Sequence, residues 1–569
     1  MSVMAVSDGA VDAQLSVTAS GGAAAFARER HGGPPYYWLA RVEAPAAGSW
    51  HVAFARDETC GGNILAKRDV AVGGGRPAVP PAADGGIWAT HAEWSPSLEN
   101  VYSAWIDHLF DAPLDVQPSW NALHEVLRDR SRNVLFDYLG AGEDEQGIVV
   151  RPDCADLPYF LRAYFAFKLG LPFGWSHCSR GEGGTPPTCS DFATSVDPFP
   201  PIDGKPQPLP PWADPDRPHQ TDTKRFGEFL RTTLADAAQS GAGRTAAKDE
   251  TGDYYPVALS IETLRPGTIF ADPYGHVLVI ARRVSQTPTQ GGILLAVDGQ
   301  PDGTVARKRF WRGNFLFAID PTLGSPGFKR FRTIVRDKAG ALRHLGNAEL
   351  ADFSLEQYAG GVEGFYDKVE DVLSPAPLDP MQALLETIQA LEEQVKTRAA
   401  SVDNGRKFLA SGKPVAEMPD GAKIFEATGD WEDYSTPSRD LRLLIAIDVT
   451  RSLPGRVARR AERFAMPQGK GPAQVEQDLE QRVGQELRDR KFKYTRSDGS
   501  DWELTLADVV DRQIPLEMAY NPNDCVELRW GAPLASAEAS TCQAHAPEAQ
   551  LEKMRAYRPW FHERKRPPR

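Results

Sequence analysis

Three side chains in this sequence have types suited to nucleophilic chemistry on an amide carbonyl, namely Cys154, His276 and Asp298. Cys154 lies between two aspartates near the start of the apolar stretch RPDCADLPYFLRAYFAFKLGLPFG, residues 151–174. A thiol attacks only as the thiolate, so its ordinary pKa of about 8.5 must be lowered. The unpaired N–H groups of a helix N-terminus and a nearby imidazolium both favour the thiolate.

The helix is predicted from the spacing of its apolar residues, which recur at i, i+3, i+4, i+7 and i+8. Asp153 or Asp156 can serve as the N-cap, and Gly170 followed by Pro172 ends the helix. Cys154 is then expected in or just before the first turn, whose N–H groups could also bind an oxyanion. The alternative for Cys154 is a core thiol, and for Asp156 a cap alone. The apolar residues are Leu157, Phe160, Leu161, Tyr164 and Phe165.

The imidazole is expected from His276, which directly follows a glycine in a tight turn and opens the β-run HVLVIA. A strand holds the ring at a fixed angle, as a general base requires. The next predicted strand, ILLAVD, ends at Asp298, whose carboxylate could orient the imidazole. Gln300 and Asn314 are reserves for this third position. An ordinary structural role remains the alternative for His276, and turn formation for Asp298.

A cysteine at a helix start, followed downstream by PGTIF and GHVLVIA, resembles the papain-like cysteine hydrolases of the NlpC type. The segment DCADLPYFLRAYFAFKLGLPF is equally similar to transglutaminase-like cysteine enzymes. Both resemblances imply a papain-like core with Cys154, His276 and Asp298 as catalytic residues. The NlpC-type resemblance further implies cleavage of peptide bonds in bacterial cell-wall peptidoglycan. The matching segments cover about a third of the chain.

The sequence departs from these families in three ways. The Pro-rich stretch near 176–218 must be an insertion, because the segment between Cys154 and His276 is longer than in their compact forms. Pro158 removes one N–H near the predicted helix start. Asp298 fits the transglutaminase-like pattern better than the NlpC-type one.

Bulk composition excludes several classes of protein. The chain has 569 residues, of which 41% are hydrophobic, and a formal charge of −13, which argues against a general nucleic-acid-binding surface. It contains no apolar run long enough for a membrane span, and its first residues show no secretory signal. We expect no cofactor, because no phosphate-binding or dinucleotide fingerprint is present. We also expect no metal, since Cys178 and Cys189 with His177 lack zinc-site spacing.

Cysteine placement bears on the compartment. Cys178 with Cys189 and Cys525 with Cys542 could form local disulfides, which would favour an oxidising compartment, or could remain reduced. Cys60, like Cys154, has no obvious partner. The compartment stays open at this point: extracytoplasmic if a leader has been removed, and otherwise cytoplasmic.

The predicted fold class is α+β, with a papain-like core, an N-terminal β-sandwich module and a mainly helical C-terminal region. The expected boundaries are 1–85 for the β-module and its linker, 90–325 for the hydrolase domain, and 326–569 for the C-terminal region. A hairpin is predicted near 491–506, where an Asp-Gly pair supplies the turn.

The function expected from these residues is that of a cysteine peptidase or amidase acting on peptide, with cell-wall peptide as the substrate that the resemblance implies. One alternative is acyl transfer or proteolysis by the same triad, as in transglutaminase-like proteins. Another, of a different class, is a non-catalytic binding or scaffold protein that retains the core. A buried, neutral Cys154 with His276 pointing elsewhere would favour the scaffold.

Overall fold

The computed structural model describes residues 1–22, 24–56, 63–73, 85–201, 204–214, 221–426 and 429–567. The protein contains both helices and sheets, which is compatible with the predicted α+β class. Cys60 lies outside the described residues, as does most of the linker predicted before residue 86. Within the described ranges, no helix combines the length and the apolarity needed to cross a membrane.

The chain forms two compact units. Unit 1 comprises Met1–Ser285, Gly292–Phe310 and Phe317–Leu373, and unit 2 comprises Gln286–Gly291, Trp311–Leu316 and Ser374–Arg569. Cys154, His276 and Asp298 all belong to unit 1.

Among the described residues, the strands of unit 1 form five sheets, and the largest has seven strands in the order β11-β16-β12-β13-β14-β15-β8. All its neighbouring strands are antiparallel. The strands are β1 (Ser2–Ser7), β2 (Ala13–Ala19), β3 (Ala24–Ala27), β4 (His31–Gly32), β5 (Tyr36–Arg41), β6 (Gly48–Arg56), β7 (Ile64–Val72), β8 (Ser119–Trp120), β9 (Gly174–Cys178), β10 (Cys189–Thr194), β11 (Tyr254–Pro256), β12 (Ile269–Ala271), β13 (Val277–Val284), β14 (Ile293–Gly299), β15 (Val305–Arg309), β16 (Gly327–Phe331), β17 (Ile334–Arg336) and β18 (Leu342–His344).

The helix after Cys154 lies at the centre of the unit 1 core. It is buried on all sides and contacts both β13 and β14. Its charged residue Arg162 is tolerated there because it forms an ion pair with Glu99, at 3.0 Å from Nη1 to Oε2. The α-helices of unit 1 are α1 (Pro96–Leu109), α2 (Leu123–Arg128), α3 (Asp156–Leu169), α4 (Asp222–Phe229), α5 (Ala235–Ala237) and α6 (Gly361–Leu373).

One predicted helix is shorter than the sequence pattern indicates. The apolar spacing of residues 119–140 predicts a single helix ending at Gly140, but α2 ends at Arg128. The buried side chain of Asn133 accounts for this, because its amide donates to the carbonyl of Leu127 at 2.7 Å and its oxygen accepts from the N–H of Leu135 at 3.0 Å. A side chain that satisfies backbone groups in this way replaces helical hydrogen bonds.

The N-terminal residues form two small sheets, β1-β5-β4 and β3-β2-β6-β7. They share a core that includes Leu15, Trp38 and Phe54, with 4.7 Å between the rings of the last two. The buried hydroxyl of Tyr37 donates to Asp107 on α1 at 2.8 Å. This β-module is therefore packed against α1.

Unit 2 is mainly helical and contains the hairpin predicted near 491–506. The buried face of α7 packs against α9, and the fully buried Arg398 and Asp440 pair across these two helices at 2.8 Å. The elements are α7 (Pro380–Ala410), α8 (Asp430–Tyr434), α9 (Pro437–Arg459), α10 (Pro472–Asp489), β19 (Lys491–Thr495), β20 (Asp501–Thr505), α11 (Leu506–Asp511), α12 (Gln513–Leu516), α13 (Val526–Arg529) and α14 (Glu548–His562).

Candidate active site

Cys154 lies in the turn that leads into α3 and is partly buried. Asp153 caps this helix start, since its Oδ1 accepts from the backbone N–H groups of Ala155 at 2.8 Å and Asp156 at 3.0 Å. In return, the N–H of Asp153 donates to the carboxylate of Asp156 at 3.3 Å. The two aspartates thus form a reciprocal cap that fixes the backbone on both sides of Cys154.

The end of β14 packs against the same turn. Gly299 approaches it so closely that a Cβ at this position would lie 2.3 Å from the carbonyl oxygen of Asp153 and 2.7 Å from that of Pro152. Both obstacles are backbone atoms. A glycine after Asp298 is therefore required for the cysteine turn to sit on the strand that carries the carboxylate.

His276 follows the tight turn Asp272–Gly275, in which Gly275 has a φ of +99°. The Asp272 N–H donates to the carbonyl of His276 at 2.8 Å, which closes the β12–β13 hairpin. The Sγ of Cys154 is 3.8 Å from the carbonyl oxygen of Gly275. The turn therefore places the imidazole of His276 beside the thiol of Cys154.

The ring of His276 is bonded to Asp298. Its Nε2 lies 2.7 Å from Oδ2 of the carboxylate, so Nδ1 is the nitrogen left to face Cys154. The Asp298 side chain is fully buried, while that of His276 is 26% exposed. Lys308 on β15 also donates to Oδ2 of Asp298. Register explains this contact, because Lys308 pairs with Ala296 and Asp298 pairs with Ala306 on the same face of the hairpin.

The electrostatics of the cluster favour an ionised Asp298 and a protonated His276. Burial opposes charge on the imidazole, but the adjacent Cys154 and Asp298 outweigh it and raise the pKa of His276 to about 9. Burial likewise opposes ionisation of Asp298, but Lys308 and His276 hold the pKa of its carboxyl well below the usual range. Ionised Asp298 can only accept, so Nε2 of His276 is the donor in their hydrogen bond.

The structure thus brings Cys154, His276 and Asp298 into one continuous cluster, although they are far apart in sequence. Of the two reserves, Gln300 lies just past the end of β14, whereas Asn314 belongs to unit 2. Lys308 was missed by sequence reasoning. Lys308 lies two residues after Ala306 in the strand VARKR, so the sequence places both on the same face of that strand. Only the register between β14 and β15 shows that this face also carries Asp298.

The two cysteine pairs whose oxidation state the sequence left open are disulfides in the structure. Cys178–Cys189 joins the facing strands β9 and β10, and Cys525–Cys542 lies in unit 2. Glu527 lies beside the second pair with ligand-like spacing, but both sulfurs there are already covalently bonded. Cys154 is the free thiol among the described cysteines.

Comparison with known proteins assigns no family to this chain: no protein-family model, no curated protein and no solved structure matches it.

Proposed function

We propose that this chain is a cysteine-nucleophile amide hydrolase. The observation that carries the proposal is the contact series from the free thiol of Cys154 through His276 to the buried carboxylate of Asp298. A partly buried cysteine beside an imidazole that is itself oriented by an acid is the arrangement that activates a thiol. The resemblance of the sequence to papain-like enzymes of the NlpC and transglutaminase types points the same way.

The reaction begins with the Cys154 thiolate attacking the amide carbonyl carbon. The protonated His276 then donates its proton to the departing nitrogen, the C–N bond breaks, and a thioester remains on Cys154. Water attacks the thioester, His276 accepts a proton from it, and the C–S bond breaks to release the acid and regenerate the Cys154 thiolate beside protonated His276. Asp298 stays ionised throughout and holds the imidazole in position.

The oxyanion formed in each half of the reaction needs hydrogen-bond donors. The N–H groups of Ala155 and Asp156 are occupied by the capping carboxylate of Asp153, which leaves them little capacity for a substrate. In the described part of the chain, the backbone N–H of Cys154 itself makes no hydrogen bond. We assign this N–H as an oxyanion donor, in place of the first-turn groups expected from the sequence.

Peptide is the proposed substrate class, and bacterial cell-wall peptide the first substrate to test, on the strength of the resemblance. The two disulfides support a protein that works in an oxidising compartment, where such a substrate is found. An amine in place of water would turn the same thioester chemistry into acyl transfer.

The test is the rate at which iodoacetamide alkylates Cys154 as a function of pH, followed by mass mapping of the peptide that contains it. We compare the parent with His276→Ala. The matched control is His51→Ala, which removes an exposed imidazole that also pairs with an aspartate, Asp69, at 2.5 Å. Fast labelling at about pH 6 in the parent and the control, slowed in His276→Ala, is expected for an activated thiol.

Labelling that is slow at neutral pH and unchanged in His276→Ala would reject the hydrolase and favour the scaffold protein. Given an activated thiol, peptidoglycan fragments are then incubated with the protein, with and without an added amine. New free amines indicate hydrolysis, whereas incorporation of the added amine indicates acyl transfer.

A further inference from the structure

The two oxygens of the Asp298 carboxylate are unequally satisfied. Oδ2 accepts from both His276 and Lys308. Oδ1 is buried and has no hydrogen-bond partner in the described part of the chain. A buried carboxylate oxygen without a donor is costly when the group is ionised, and the pKa of Asp298 is held low. A hydrogen-bond donor to Oδ1 would therefore stabilise the ionised carboxylate of Asp298.

A buried hydrogen-bond donor that lacks an acceptor within the described ranges lies two residues further along the chain, on Gln300. The side-chain Nε2 of Gln300 is buried and also has no hydrogen-bond partner among the described residues. The backbone ladder continues past Gly299, which pairs with Val305, since the N–H of Gln300 donates to the carbonyl of Thr304 at 2.8 Å. In extended backbone, residues two apart point to the same face with about 6.6 Å between their Cα atoms. The Gln300 amide and Oδ1 of Asp298 are therefore within reach of a one-water bridge.

We propose that Gln300 is a positioning residue for Asp298, whose Oδ1 it holds by donating its amide to a water molecule that in turn donates to that oxygen. The carboxylate is then fixed on both sides, by Lys308 and His276 at Oδ2 and by Gln300 at Oδ1. Its plane cannot rotate, so Oδ2 stays directed at the ring of His276. This role rests on the proposed function, because it acts through the imidazole that activates Cys154.

The role differs from the one considered for Gln300 from the sequence alone. Nε2 of His276 is occupied by Asp298, so Gln300 is not the residue that orients the ring directly. Among the described residues, two charged groups contact Asp298: Lys308 on β15, and His276 directly before β13. Cys154 lies on the other side of the His276 ring. Gln300 adds no charge to this set, only a donor.

The experiment compares Gln300→Met, which keeps the side-chain length but removes the donor, with the parent in the full-length protein. Gln300→Leu is an independent second variant should Gln300→Met fold poorly. Thr304→Val is the matched control, because Thr304 donates to Asp302 in the same turn and its loss leaves the Gln300 amide intact. The primary readout is the pKa of His276 from an NMR titration, which needs no substrate. The second readout is iodoacetamide labelling of Cys154 at pH 6.

In Gln300→Met we expect the pKa of His276 to fall by about one unit and labelling at pH 6 to slow about tenfold, with Thr304→Val unchanged. In an Asp298→Asn background, Gln300→Met should have no further effect, because its only route to His276 has been removed. Retention of the parent values in Gln300→Met, or an equal effect in the Asp298→Asn background, would overturn the proposal. Slow labelling already in the parent would reject the hydrolase instead, and the NMR titration would still decide the role of Gln300.

Discussion

Gly299 and Asp153 are in backbone contact: a Cβ on Gly299 would lie 2.3 Å from the carbonyl oxygen of Asp153. The strand that carries the acid and the turn that carries the thiol are thereby seated directly on one another. Asp298 directly precedes Gly299, and Cys154 directly follows Asp153. The contact therefore sets the distance between the carboxylate and the thiol. A single methyl group is enough to disturb it.

Gly299→Ala is therefore expected to displace the turn and slow iodoacetamide labelling of Cys154 by tenfold or more. The methyl group meets backbone atoms, which cannot rotate away as a side chain would. Gly364→Ala on α6, where nothing lies within 4 Å of the added Cβ, is the matched control and should label like the parent. Normal labelling in Gly299→Ala would show that the contact does not position Cys154.

Asp298→Asn should lower the pKa of His276 from about 9, because it removes the carboxylate that supports the imidazolium. The folded pKa of His276 lies above its ordinary value of 6.5. Its stabilising contribution is thus complete below pH 6.5 and is lost as pH rises through 9. The variant should be less stable than the parent at pH 6, with the difference shrinking by pH 10. NMR titration of the ring and thermal unfolding at both pH values check this.

Lys308→Met should raise the pKa of Asp298, because the ammonium group helps to keep this buried carboxylate ionised. A carboxyl group whose pKa is lower in the folded state stabilises the fold at pH values above its pKa in the unfolded chain. That stabilisation is lost as the pH falls through the pKa of the folded state. Without Lys308 the loss begins at higher pH, so the midpoint of acid-induced unfolding should move upward by about one unit. Lys308→Arg keeps the charge and should retain the parent profile; an identical shift in both variants would exclude the electrostatic explanation.

Asp156→Asn should stabilise the protein at pH 8 but not at pH 4. Burial and the neighbouring Asp153 raise the pKa of Asp156 to about 7, although the N–H of Asp153 opposes them. The folded state thus favours the neutral acid, and this contribution is lost as pH rises through 7. Asparagine mimics the neutral form, so we expect a gain on the order of 1 kcal/mol at pH 8. Calorimetry at the two pH values measures it, with the exposed Asp8→Asn as control.

The disulfides predict a specific pattern of thiol reactivity. In denaturant without a reductant, Cys154 should be alkylated, whereas Cys178 and Cys189 should appear as one linked pair of peptides, as should Cys525 and Cys542. Replacing both Cys178 and Cys189 by serine should lower the free energy of unfolding by up to about 3 kcal/mol, because a closed loop of this length restricts the unfolded chain. Alkylation of Cys178 before reduction would contradict the pairing.

Much of the fold near the cluster followed from local patterns. The apolar spacing after Asp156 predicts α3, and the two turn sequences after Ala271 and Gly299 predict the hairpins β12–β13 and β14–β15. Such patterns suffice because helix periodicity, strand alternation and turn residues act over a few neighbouring positions. The β-structure before residue 73 and the late hairpin in unit 2 were predictable on the same basis.

Local patterns failed where a side chain competes with the backbone. Asn133 ends the helix expected to continue to Gly140, and it does so from a position buried by α1, through a bond from Trp105 at 3.0 Å. Asp153 occupies the N–H groups that had been expected to bind an oxyanion. Neither outcome is visible in periodicity, because each depends on which hydrogen-bond partners the folded chain supplies.

The sequence by itself determined the types and order of the candidate catalytic residues: a thiol before a helix, an imidazole at a strand start, and a carboxylate near the end of the next strand. Only the tertiary structure decided that Lys308 shares the carboxylate, that Gly299 seats the cysteine turn, and that Oδ1 of Asp298 has no partner among the described residues. Those facts depend on strand register and on contacts between segments distant in sequence. Such contacts are set by the packing of the whole core, which no local stretch of residues encodes.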